Sequence, residues 1–148
     1  MNKDSKLETS ALWEQLFKAS SVEQFLDKNE AGIGLMPFSK FISELCKNRG
    51  EVPERIIKRA NIERSFGHAI FRGDRKPSRD TVLQLAFGFL ADVDLAQALL
   101  KHSGHSPLYP RVPRDVVISY CLYHSNDFLK TQRILMELGL PLLGGIAK

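Results

Sequence analysis

Cysteine is scarce in this chain, and so are several other features that would have named a chemistry. Its two thiols, Cys46 and Cys121, fall within or beside apolar helical patterns, where cysteine behaves as a small hydrophobe. They make no disulfide framework, so a reducing cytoplasm is the expected compartment. The opening MNKDSKLETS lacks the apolar run of a signal peptide. No stretch approaches the ~18–20 apolar residues of a membrane span, so a membrane is not among the expected partners. There is no convincing run of apolar–polar alternation, no internal repeat and no low-complexity segment. Catalytic signatures are missing as well: no glycine-rich phosphate loop after a strand, no nucleophile elbow, no carboxylate pair at a convincing spacing. Neither an enzyme nor a cofactor is expected.

What is present reads as helix. The 148 residues are 43% hydrophobic and 26% charged, ordinary values for one domain with a small appendage. Seven prolines sit mostly at apparent boundaries, which favours several short helices. Leu12, Leu16 and Phe17 share a stripe after a Ser10 cap, and Ser21 caps a second short helix holding Val22, Phe25 and Leu26. Ala31 to Gly34 read as a hinge. Pro37 suits the first turn of a helix carrying Phe38, Phe41, Ile42 and Leu45 on one face, closed by Gly50. Ser78 caps a helix with Val82, Leu85, Ala86 and Phe89 as its buried stripe, and Asp92 starts another that ends near Gly104. The proline-rich HSPLYPRVP then interrupts regular structure. Two further helices are expected at about 114–124 and 127–138, followed by a short apolar tail.

Residues 53–79 stand apart. They read as two short helices joined by a tight turn, then a glycine stop and a basic loop, the order of a helix-turn-helix. Eight lysines and arginines against three acids give this segment a net charge of +5, while the whole chain carries +4, so the remainder is slightly negative. The positive charge is concentrated where a polyanion would meet it. Pro53 opens the first helix, and Ile56 and Ile57 form its apolar face. Asn61 suits a left-handed turn position and Ile62 plugs the corner. Phe66 and Ile70 lie one turn apart on the second helix, leaving Arg64, Ser65, His68 and Ala69 for more exposed positions. Gly67 points to a close approach by a neighbour.

The run IFRGDRKPSRDTVLQLA, with Gly73, Arg75, Lys76, Pro77 and Ser78 in order, resembles the lambda-repressor-like, XRE-type family of DNA-binding domains. The resemblance spans about 65 residues, from the helix at 38–48 through the helix at 94–102. It implies a five-helix domain over 36–104; outside it the residues read as an N-terminal helical extension over 1–35 and a two-helix C-terminal extension over 105–148 packed on it, an all-α fold throughout. It also implies a recognition helix near 63–71 and phosphate contacts from the loop that follows. The function implied is a sequence-specific transcriptional regulator, most simply a bacterial or phage-type repressor.

Eight residues are the candidate contacts with double-stranded DNA. Arg64, Ser65 and His68 lie on the exposed face of the second helix, where arginine is suited to guanine. Arg72, Arg75, Lys76 and Arg79 form the loop cluster, and Arg55 belongs to the first helix. His102, His105, Cys121 and His124 have spacings compatible with zinc. They sit on separate elements, however, and no metal site is expected. Pro53, Glu63, Phe66, Gly67 and Phe71 differ from the family's usual residues. Four of them, Pro53, Glu63, Phe66 and Phe71, keep open a second reading, in which the motif is a protein-interaction scaffold, an antitoxin or adaptor. Exposure or burial of Phe66 and Phe71 separates the two readings. The apolar faces added by the flanking helices leave room for a homodimer.

Overall fold

The structure, a computed structural model, describes residues 9–29 and 36–144. Among the described residues every regular element is a helix: α1 (Thr9–Lys18), α2 (Val22–Lys28), α3 (Phe38–Asn48), α4 (Pro53–Arg59), α5 (Arg64–Arg72), α6 (Arg79–Gly88), α7 (Val93–His102), α8 (Pro113–Tyr123) and α9 (Phe128–Glu137). None is long and apolar enough to cross a membrane. The chain divides into two units, Met1–Leu35 and Met36–Lys148. The expected hinge at 31–34 lies outside the described residues.

In the first unit Ser21 caps α2, accepting a hydrogen bond from the Gln24 amide at 3.0 Å. Asn29 at the end of α2 donates to Gln15 of α1 at 2.7 Å, which ties the two helices. Two expectations fail here. Ser10 lies inside α1 rather than capping it. Phe17 does not join an inward stripe with Leu12 and Leu16; it is exposed and stacks on Trp13, one turn away, at 5.6 Å.

The second unit is built around α6. All its residues from Val82 to Gly88 are buried, not just one stripe, because α4, α7 and α9 all pack on it. A helix surrounded in this way carries apolar residues all round. Two glycines let α4 lie close to its neighbours. A Cβ on Gly67 of α5 would stand 2.6–2.9 Å from three side-chain atoms of Ile57, and a Cβ on Gly88 of α6 would run into the Ile56 carbonyl oxygen. At the end of α6, Arg59 donates to the Gly88 carbonyl (2.9 Å) and Arg49 to the Phe89 carbonyl (2.6 Å), satisfying acceptors that a helix terminus leaves open. Leu90 follows in a left-handed conformation, φ 56°.

The segment beyond α7 is bound to this core by a crossed pair of ion pairs. Consecutive residues at the start of α6, Arg79 and Asp80, meet consecutive residues at the start of α8, Asp115 and Arg114. Arg114 grips Asp80 with both terminal nitrogens at 2.9 Å and also donates to the Pro141 and Leu142 carbonyls. Burial pushes the Asp80 carboxyl up. The hydrogen bonds and charge of Arg114, the Gly144 amide and the charge of Arg79 outweigh this and leave it below its ordinary value.

Two glutamines finish the job. Gln97 both accepts from and donates to the backbone of Leu108, at 2.7 and 3.1 Å, and Gln132 does the same for Leu143, at 2.7 and 3.0 Å. Each leucine thereby buries its side chain without orphaning its peptide groups. In the stretch read as an apolar tail, Leu142 and Leu143, with Leu140 just before it, thus join the core. Both cysteines are free and buried; burial first, then the Glu51 carboxylate, push the Cys46 thiol up.

Candidate nucleic-acid interface

The turn between α4 and α5 is fixed by local chemistry. Asn61 takes φ 60°, a region that short polar residues tolerate. The Ile62 amide donates to the Ile57 carbonyl at 3.2 Å. From below, buried Gln84 of α6 donates to the Ala60 and Asn61 carbonyls. Glu63 caps α5: its carboxylate accepts from the Phe66 amide at 2.8 Å and the Ser65 amide at 3.1 Å, and these bonds hold its pKa below the ordinary value. Its charge is thus spent on the helix N-terminus. Gly73 ends α5 at φ 88°.

Around α5 the residues separate by face. Gly67, Ala69, Ile70 and Phe71 point inward, with Phe71 only 8% exposed. Ala69, expected on the exposed side, is therefore buried, because α5 packs against both α3 and α4. Phe66 is half-buried and packs against the core, and the Arg75 guanidinium lies 5.6 Å above its ring. Neither phenylalanine offers an exposed apolar knob. The outward side carries exposed Arg64, Ser65 and Arg72 with half-buried His68 between them, continued by exposed Arg75 and Lys76 in the loop.

Not all of the candidate cations are alike. Arg72 pairs with Asp74 at 2.9 Å on the surface, and Arg55 lies 3.9 Å from Glu51. Both are exposed and held only by contacts of the kind worth little in water. Arg79 is different, and its place corrects the expectation that it joins the loop cluster. Its guanidinium donates to the Ser106 and Pro107 carbonyls at 3.0 Å and to both oxygens of Asp115, which is 3% exposed. It organises the proline-rich loop and has little left to offer a ligand. Of the residues considered for zinc, His102 stacks on Phe41 at 4.0 Å and His105 lies 2.9 Å from the Pro77 carbonyl. Cys121 is buried in the core, and His124 packs on Tyr120 and Tyr123.

The chain matches no family model, and no curated protein or solved structure shows significant similarity to it.

One residue of the site has no place among the sequence candidates. Glu54, in the first turn of α4, sets its carboxylate between two residues of α5: Arg64 Nε donates to Oε2 at 2.9 Å, and His68 Nε2 lies 2.7 Å from Oε1. The bond to His68 first, then that to Arg64, hold the carboxyl below its ordinary value. The nearest sequence signal is a glutamate ten residues before one candidate and fourteen before the other. No helical spacing connects them; only the turn at Asn61 brings them together.

Proposed function

We propose that residues 36–104 are a helix-turn-helix DNA-binding domain of the lambda-repressor-like, XRE-type kind, and that the chain is a sequence-specific transcriptional regulator, a repressor, acting without catalysis. One observation carries this reading: α5 turns Phe66 and Phe71 toward the core and leaves Arg64, Ser65, His68 and Arg72 outward, in line with Arg75 and Lys76. A polar, cationic helix face followed by a basic loop suits a major groove flanked by phosphates. The second reading, a scaffold docking a protein on this same face, starts from Pro53, Glu63, Phe66 and Phe71; buried Phe71 and half-buried Phe66 favour the DNA reading over it.

Within the proposal α5 supplies base choice, and Arg72, Arg75 and Lys76, with Arg55 alongside, supply phosphate contacts. Arg79 passes from the DNA side to the internal framework. A two-fold dimer fits the same reading, since it would place two copies of α5 on half-sites about 34 Å apart. The test is a mobility shift with duplex DNA from upstream of the protein's own gene, set against a random duplex of equal length. Retardation that favours the upstream duplex and weakens in Arg75→Ala plus Lys76→Ala is expected. Equal retardation of the two, or none, contradicts it.

A further inference from the structure

We infer that Arg64 reads a guanine and that Glu54 is the positioning residue that presents it. The inference rests on the proposed DNA reading and names the base at the centre of that site.

An arginine recognises guanine with two parallel N–H donors directed at O6 and N7. The guanidinium has five such donors in a rigid plane, so the position of one nitrogen sets the direction of the others. In Arg64 the Nε–H is taken by Glu54, at 2.9 Å from Oε2 and 3.3 Å from Oε1. Neither terminal nitrogen makes a hydrogen bond among the described residues, and the side chain is 74% exposed. The pair of donors left over is an end-on fork. An unrestrained arginine would have to give up side-chain freedom to form that fork on binding; here part of the cost is already met in the free protein.

A lone surface ion pair would not support this, because such pairs contribute little. Glu54, however, holds two residues at once, Arg64 and His68, one helical turn apart on the outward side of α5. With Glu54 ionised, the hydrogen on the His68 ring is at Nε2, directed at the carboxylate. The carboxylate therefore comes from a different helix and braces two adjacent side chains on the reading face. It also cancels the charge of Arg64. The trio adds little to long-range attraction, which falls to the loop cations, and its contribution is to discrimination.

This division gives Glu54 a signature that a merely structural residue lacks. Removing a carboxylate near phosphates strengthens binding to any duplex, while loss of positioning weakens the preference for one base. The experiment selects binding sites for the full chain from a randomised duplex pool. It then compares Kd for the selected duplex with Kd for versions replaced at each guanine, using wild type, Arg64→Ala, Glu54→Ala and Glu54→Gln. Wild type should prefer one guanine by about ten- to a hundredfold. Arg64→Ala should erase that preference, and Glu54→Ala should cut it to within a few-fold while binding random duplex as tightly or more tightly. Glu54→Gln, which keeps an oxygen for Arg64 Nε, should recover part of it. Full preference retained in Glu54→Ala, or a selected site whose guanines are insensitive to Arg64→Ala, overturns the inference but leaves DNA binding standing. A wild-type chain that binds no duplex at low salt overturns both.

Discussion

Arg79 and Asp115 are joined across 36 residues of chain by two hydrogen bonds, at 3.0 and 3.3 Å, and the carboxylate is almost wholly buried. The Tyr109 amide donates to the same carboxylate at 3.0 Å. An arginine adjoining a basic loop is thereby turned into the fastening of the proline-rich segment, and α8 is set against α6.

Arg79→Ala should therefore act on stability. Removing one partner of a buried ion pair strands the other charge, a loss of about 3 kcal/mol or more. Urea denaturation should show such a drop for Arg79→Ala and a similar one for Asp115→Ala, with the double variant far from the sum of the two. An unchanged midpoint in either single variant would contradict the assigned contact.

Gly67→Ala offers a choice between two effects of opposite sign. Alanine favours a helix interior over glycine by about 1 kcal/mol, but here its Cβ would meet Ile57 inside contact distance. Crowding in a filled core costs about 1–3 kcal/mol, so net destabilisation is expected. A thermal melt that rises in this variant would show that α4 and α5 are less closely packed. Pairing it with Ile57→Ala, which removes all three contacted atoms, should cost less than the sum of the two single losses.

Local backbone rules made some of this visible in the sequence. Asn61 at the turn, Gly73 after α5, and the caps Ser21, Ser78 and Asp92 all act within three or four residues of themselves, and each stands where its chemistry suggested. What escaped depends on distant chain. Glu54 meets Arg64 and His68 only after the turn folds α5 against α4, and Arg79 finds its partner one whole subassembly later. Ala69 and Phe17 show the same limit from the other side, since periodicity assigns a face but not what covers it. Residues 142–143 looked like an apolar tail because the donor and acceptor of Gln132 that bury Leu143 cannot be paired from sequence.

Leu90 is a site of stored strain. It adopts φ 56°, where a Cβ costs about 1–2 kcal/mol, and its side chain is 65% exposed and buries little in return. Leu90→Gly should raise the unfolding free energy by roughly 1 kcal/mol, with part offset by the greater freedom of glycine in the unfolded chain. Calorimetry or urea titration checks it; a lower midpoint would mean that Leu90 supports the fold through contacts its exposure does not reveal.

Acid should loosen the C-terminal attachment. The Asp80 carboxyl sits below its ordinary value of 3.8, so its bond to Arg114 stabilises the fold fully above that value and is lost as pH falls through the lower folded-state value. The stability gap between wild type and Asp80→Asn should be widest near neutral pH and should close below about pH 3.8. A gap that stays constant into acid would remove the ionic contribution.

The central claim is that this face binds a phosphate backbone, and a salt titration tests it most directly. Binding of the full chain to a random-sequence duplex, followed by fluorescence anisotropy, should weaken with salt. With about four to five phosphates neutralised, log K should fall against log salt with a slope near −4. Replacing Arg75 and Lys76 together by alanine should flatten that slope by about 2 units. No binding at low salt, or a slope untouched by the double replacement, would contradict the account.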